Sequence, residues 1–207
     1  MGPTYCLGPY FRWIALSPDG SGASLALLHR MQLDHQAEAA FAPLAGLTAW
    51  GFARASDMLT VQFGDARALG DGDRRRTVGT YALHVSCAWR LTDNGTIAVA
   101  SGDLFTPADP DADLETFDWD LPGANWWDAR MEAFFAARQA PLVVGTFVCD
   151  EVSGVRLVFN DGVELEVFPN SSPAPHVDSE YWRVLRPGED DAHIVAGTFG
   201  LVLEQST

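Results

Sequence analysis

Short stretches of alternating apolar and polar residues recur along this chain, and most end on a turn signal. Val163, Leu165 and Val167 alternate with Glu164 and Glu166, the period-2 mark of a half-buried strand. The preceding Asn160-Asp161-Gly162 predicts a tight hairpin turn, because Asp-Gly readily takes positive φ angles. The same reading predicts strands over Leu47 to Ala55, Met58 to Gly64, Leu142 to Asp150 and Val155 to Asn160, with short connections at Ser56-Asp57 and Glu151 to Gly154. Two strands carry a Trp-Arg pair, Tyr81 to Leu91 and Glu180 to Arg186. Each precedes a turn (Thr92 to Gly95; Pro187 to Ala192) and a final strand, Ile97 to Ser101 or His193 to Leu203. Longer loops are predicted at Gly70 to Thr77 and Asn170 to Ser179. Near the start, Tyr10 to Leu16 reads as a strand and Ser17 to Gly20 as a turn, while Ala23 to His29 fits strand or helix.

Two helices complete the set. The first is predicted over Asp34 to Ala42. The second runs from Asn125 to Arg138, with Trp127, Met131, Phe134 and Phe135 spaced to make one apolar face. Asn125 is its N-cap, Asp128 suits the positive end of the helix dipole, and Pro141 follows the stop. Hairpin-length connections force antiparallel pairing, since a parallel crossover needs about a dozen residues or more. The fold class predicted is therefore α+β, mostly antiparallel sheet with two helices packed on it.

The order of elements repeats. Leu33 to Gly102 set beside Trp127 to Gly200 pairs Asp34 with Asp128, Glu38 with Glu132, Phe41 with Phe135, Leu47 with Leu142, Phe52 with Phe147 and Phe63 with Phe159. Further along, Asp65 meets Asp161, Leu69 meets Leu165, Trp89-Arg90 meets Trp182-Arg183 and Ile97 meets Ile194. This weak internal duplication predicts a helix-plus-β-meander unit built twice. The N-terminal half is residues 1–102, with a hairpin ahead of its helix and meander; the C-terminal half is residues 103–207, opening on an acidic loop. The two form one compact unit, with Trp89 superposing on Trp182.

Charge separates the halves. The 207 residues carry 28 Asp+Glu against 13 Lys+Arg, net −15, and every base is Arg. Residues 1–103 hold nine acids and eight bases, whereas residues 104–207 hold nineteen acids and five bases. A chain this acidic lacks the basic footprint that a nucleic acid requires. Three widely spaced cysteines exclude a disulfide scaffold and a Cys-cluster zinc site. The N-terminus has no basic start followed by an apolar stretch, and the ten residues Ala140 to Cys149 are too few to cross roughly 30 Å of hydrocarbon. The expectation is a cytoplasmic protein with free thiols that binds neither membrane nor nucleic acid and needs no cofactor.

Seven of the acids, and no base, fall in Asp103 to Asp120. The run from Asp109 starts like an EF-hand calcium loop but has Leu114 at the sixth position and Asp120 at the twelfth, where that loop needs Gly and Glu. It reads as a solvated loop with no metal site. Trp119 and Trp126-Trp127 border it, and aromatics beside acids suit a protein interface. Trp119, Trp126, Asp111, Asp113, Asp118 and Asp120 are the candidate binding residues.

For catalysis the candidates are His84, Ser86, Arg90 and Arg183. His84, Ser86 and Arg90 share the polar face of Tyr81 to Leu91. Ser86 lacks the G-x-S-x-G elbow that exposes a nucleophile. Arg90 and Arg183 are expected to pair with Asp65 and Asp161, because a partly buried guanidinium takes a carboxylate. His176, Asp178 and Glu180, and likewise Asp190, Asp191 and His193, have the residue types of metal ligands but no recognised spacing. Phosphate-binding, kinase and hydrolase signatures are absent. Two functions follow. One is a non-catalytic protein that binds a basic protein, as an inhibitor or immunity protein of a nuclease would by presenting carboxylates in place of phosphates. The other is a small-ligand binder or hydrolase-like enzyme with His84, Ser86, Arg90 and Arg183 lining a cleft between the halves.

Overall fold

A computed structural model describes residues 37–190 and 192–205 of the chain. The expected elements at Tyr10 to Leu16, Ser17 to Gly20 and Ala23 to His29 lie outside the described residues, as does Asp191. Residues 37–41 are helical (α1), inside the predicted first helix. The strands that follow are β1 (Thr48–Ala55), β2 (Met58–Phe63), β3 (Arg67–Leu69), β4 (Arg76–Val78), β5 (Tyr81–Val85), β6 (Ala88–Asp93) and β7 (Thr96–Ala100). After α2 (Trp126–Ala136) come β8 (Leu142–Cys149), β9 (Val155–Phe159), β10 (Val163–Phe168), β11 (Glu180–Leu185), β12 (His193–Gly197) and β13 (Gly200–Glu204).

Eleven of these strands form one sheet in the order β13-β12-β11-β5-β2-β1-β8-β9-β10-β6-β7, and β3 pairs only with β4. Every pairing is antiparallel, so the fold is α+β with antiparallel β dominant. Among the described residues no helix is long and apolar enough to cross a membrane.

Three expectations about elements are corrected. Tyr81 to Leu91 is two strands: the Ser86 N–H still donates to the Tyr181 carbonyl of β11 at 2.8 Å, one residue past the Val85–Trp182 pair, whereas the Ala88 N–H goes to Asn170 Oδ1 at 3.4 Å. The backbone thereby leaves the β5 ladder and resumes as β6 at a distant place in the sheet. His193 to Leu203 is a hairpin, β12 and β13, turned at Thr198-Phe199. The expected loop at 70–77 contains a 3-10 turn and most of β4. At Asp161-Gly162 the φ angles are +62° and +74°, the left-handed pair that the tight turn required.

The halves do not form separate sheets. β6 and β7 pair beyond β10, while β11, β12 and β13 pair beyond β5. Each half thus gives its last strands to the other, and a repeated self-contained helix-plus-meander is not confirmed. Leu69 and Leu165 are not counterparts, since one lies in the β3–β4 hairpin and the other in the large sheet.

Alternation builds the core. Leu59, Val85 and Trp182 form one buried row across β2, β5 and β11. Val155, Val167 and Trp89 form another across β9, β10 and β6. Phe41 of α1 meets Trp182 edge-on at 4.9 Å, and Trp127 of α2 meets Trp89 at 6.1 Å. The helix of each half therefore covers a strand of the other. Residues between the buried positions point to the opposite face of the sheet, and the polar side chains of β5, β10 and β11 stand there.

Candidate functional site

The acid-rich segment is an irregular loop on a rigid frame. It leaves β7 through a 3-10 turn, Ser101–Phe105, in which Leu104 is buried. It returns at Asn125, the fully buried N-cap of α2, whose Oδ1 accepts from the Asp128 N–H at 2.8 Å and whose Nδ2 donates to the Trp119 carbonyl at 2.8 Å. The two ends are stitched together, Trp126 N–H to Thr106 O at 2.7 Å and Ala108 N–H to Ala124 O at 2.8 Å. Between them, the side chains of Asp109, Asp113 and Asp118 each accept from the backbone N–H two residues on. Such Asx turns are the local structure that Asp favours in loops.

Arg54 of β1 holds the loop to the sheet. Its Nε donates to Asp128 Oδ1 at 2.9 Å, its Nη1 to Asp120 Oδ1 at 2.8 Å and its Nη2 to the Asp120 carbonyl at 2.9 Å. Burial pushes the Asp128 pKa up, but the Arg54 and Gly123 hydrogen bonds and the Arg54 charge outweigh it, holding that carboxyl below its ordinary value. The Arg54 guanidinium is raised in turn, chiefly by its hydrogen bond to Asp128 against the opposing effect of burial.

On this frame stand large apolar side chains that remain exposed. Phe105 is 61% exposed, Leu114 75%, Leu121 58% and Trp126 41%. Phe105 stacks edge-on against half-buried Trp119 at 5.5 Å, and Arg130 lies over the Trp126 ring at 5.9 Å. Asp109, Asp111, Asp113, Glu115, Asp118 and Asp120 are all exposed among them. No Lys or Arg occurs from residue 103 to residue 129. The sequence reading missed Phe105, Leu114 and Leu121, because single apolar residues in a loop carry no periodicity. It also missed Arg54, whose signal is an Arg on the strand face that α2 covers.

The four candidate catalytic residues divide. His84 and Arg183 are direct cross-strand neighbours on β5 and β11. Ser86 is exposed beyond the end of β5, and among the described residues no base is paired with its hydroxyl. Arg90 is on β6, with Glu166 opposite at 2.5 Å and the Phe168 ring beneath its guanidinium. The expected partners, Asp65 and Asp161, are replaced by residues nearer in register. Arg90 takes Glu166, directly opposite on β10. Arg183 takes Glu180 through Nε at 2.7 Å and Nη2 at 2.5 Å, and Glu204 at 3.1 Å. Same-face neighbours on a sheet are closer than a turn one strand away. His176 and Asp178 are exposed on the 170–179 loop, with His176 at positive φ. Among the described residues no group of three or more His, Cys, Asp or Glu is placed to hold a metal ion. No family model, curated protein or solved structure matches this chain.

Proposed function

We propose that this is a non-catalytic binding protein that docks a basic protein through the surface between residues 103 and 126. The observation that carries the reading is the coincidence of exposed Phe105, Leu114, Leu121 and Trp126 with six exposed acids in a segment that contains no base of its own, Arg54 and Arg130 reaching it only at Asp120 and Trp126. Apolar anchors supply affinity once desolvated, and a single-sign field around them speeds encounter with an oppositely charged partner. The Arg54 and Asn125 hydrogen bonds support it further, because a pre-ordered loop loses less entropy on docking. A nuclease is one class of partner that fits, since exposed carboxylates can occupy the places of phosphates. The proposed location is cytoplasmic, in keeping with the free thiols of Cys87 and Cys149.

The test compares capture from a lysate of the native host by wild type and by a Phe105→Ser/Leu114→Ser/Trp126→Ser variant, at low and at moderate salt. One basic protein retained by wild type, lost with the variant and weakened by salt is the expected result. Equal retention by both, or no enrichment of any basic protein, overturns the proposal.

A further inference from the structure

The face of the sheet opposite the α2 side carries a groove of about 610 Å³, within the range of small-molecule sites. Its floor is β2, β5 and β11, and that floor holds Met58, Thr60, Gln62, Ala82, His84 and Leu185, with no acid. One wall is β4, with Arg76, Thr77 and Val78; the other is the 186–190 turn. The walls are built, not incidental. The β4–β5 connection crosses the end of β2 so closely at Gly79 that a Cβ there would stand 2.5 Å from the Phe63 carbonyl oxygen. Arg67 of the β3–β4 hairpin donates to the Pro187 carbonyl and faces Glu189 at 3.9 Å, and Arg186 pairs with Glu189 at 2.7 Å. Both halves of the chain contribute.

The corresponding row of the other wing shows what is unusual here. Arg90, Glu166 and Arg156 lie side by side across β6, β10 and β9, alternating in sign. Arg183, His84 and Thr60 hold the same places across β11, β5 and β2. Where the first row has its carboxylate, the second has an imidazole. Arg183 is satisfied by Glu180 and Glu204, and its Nη1 also meets Nδ1 of His193, at the edge of the groove, at 3.1 Å. The half-buried His84 ring has no hydrogen-bond partner among the described residues, and Arg76 has no ion-pair partner among them. Glu189 is already matched by Arg186 and Arg67, and Asp190 is exposed on the turn. Among the unused polar groups of floor and inner wall are the Arg76 guanidinium, the Gln62 Nε2 amide and the His84 ring, whose N–H is a donor.

We propose that this groove binds a small organic anion, its carboxylate or phosphate group held by the Arg76 guanidinium and the His84 ring N–H, and its apolar body resting on Met58, Val78 and Leu185. A guanidinium and an N–H donor match anionic oxygens by charge and geometry. The groups acting on His84 are Arg183, Glu180, His193 and Arg76. Burial lowers its pKa most, Arg183 lowers it further, Glu180 works the other way, and His193 and Arg76 add to the lowering. Burial and the cationic neighbours thus favour the neutral form of the free ring. A bound anion favours the imidazolium, so binding takes up a proton and tightens as pH falls.

The test is an NMR titration of the His84 ring in the full chain with benzoate, phenyl phosphate and, as the opposite charge, benzylamine. Saturable shifts with benzoate or phenyl phosphate, a raised His84 midpoint in the complex and silence with benzylamine are expected. The stronger of the two anions identifies carboxylate or phosphate as the head group. Arg76→Gln, at an exposed position, should weaken that binding about tenfold or more. Arg90→Gln, in the other wing, should leave it unchanged. No saturable shift with either anion, an equal response to benzylamine, or unaltered affinity in Arg76→Gln overturns the proposal. None of these variants touches residues 103–126, so the outcome is independent of the protein-docking surface.

Discussion

Arg54 and Asp128 form a forked ion pair, at 2.9 and 3.2 Å, that joins β1 to the first turn of α2. Both side chains are largely buried, at 11% and 18% exposure. Removing one partner of such a pair leaves a charge without compensation, which costs about 3 kcal/mol or more. Arg54→Leu is expected to lower stability by that amount in urea unfolding and to release Asp120. Arg54→Lys should recover only part, because an ammonium cannot reach both carboxylates and the Asp120 carbonyl together. A Leu variant as stable as wild type would mean that Gly123 and Asn125 satisfy Asp128 unaided.

The same pair sets a pH dependence. The Asp128 carboxyl is held below its ordinary value of 3.8 in the folded state. Its stabilisation is therefore complete above that value and is lost as pH falls through the lower, folded one. The stability difference between wild type and Asp128→Asn should be constant from pH 7 to about pH 5 and shrink below about pH 4. A difference that stays level down to acid pH would show that the pair contributes nothing through ionisation.

The two Trp-Arg pairs should respond differently. Arg183 is a quarter exposed, and its guanidinium is raised chiefly by the Glu180 hydrogen bonds. Arg183→Leu should cost about 1.5 to 3 kcal/mol, the range for hydrogen bonds to charged groups, and Arg183→Lys should rescue it partly. Arg90 is the more exposed of the two, at 40%, so Arg90→Gln should cost less than Arg183→Leu and leave the melting temperature close to wild type. Thermal melts of the three variants decide this, and equal losses at both positions would refute the distinction.

Much of this was legible because strands and turns are local. Alternation at 163–168, the Asp161-Gly162 turn and the Asn125 cap each rest on neighbours in sequence, and the structure places all three as read. The break at Ser86-Cys87 was not legible. There the chain passes from a strand paired with β2 and β11 to one paired with β10 and β7, and no window around residue 86 contains that information. The exchange of β6–β7 and β11–β13 between the halves was hidden for the same reason, and it also redirected Arg90 and Arg183 to carboxylates other than those expected. At the candidate surface, composition revealed the acids and tryptophans. It did not reveal Arg54, which acts from a strand far upstream.

Cys87 offers a test of burial. Desolvation pushes its thiol up to about 12, with backbone hydrogen bonds acting in the opposite direction. The thiolate is the reactive form, so native Cys87 should resist a disulfide reagent at pH 8. In a Cys6→Ser/Cys149→Ser background, labelling is expected to be slow in buffer and complete in urea. Rapid labelling of the folded variant would place Cys87 at an accessible site.

The last expectation concerns Trp182 and Phe41, whose rings meet at 4.9 Å with both side chains fully buried. Trp182→Ala should cost about 3 to 5 kcal/mol, the usual loss for a large aromatic in a core. The double variant with Phe41→Ala should lose less than the sum, by a coupling of about 0.5 to 1.5 kcal/mol. The consequence for cooperativity is sharper. Phe41 comes from the first half and Trp182 from the second, while Trp89 and Trp127 reverse that arrangement across the sheet. Neither half can bury its own row of core residues without strands or a helix from the other. Unfolding followed at Trp127 and, separately, at His84 should therefore give coincident transitions, the mark of a single cooperative unit. Two separated midpoints would mean that the exchanged strands are not what holds the halves together.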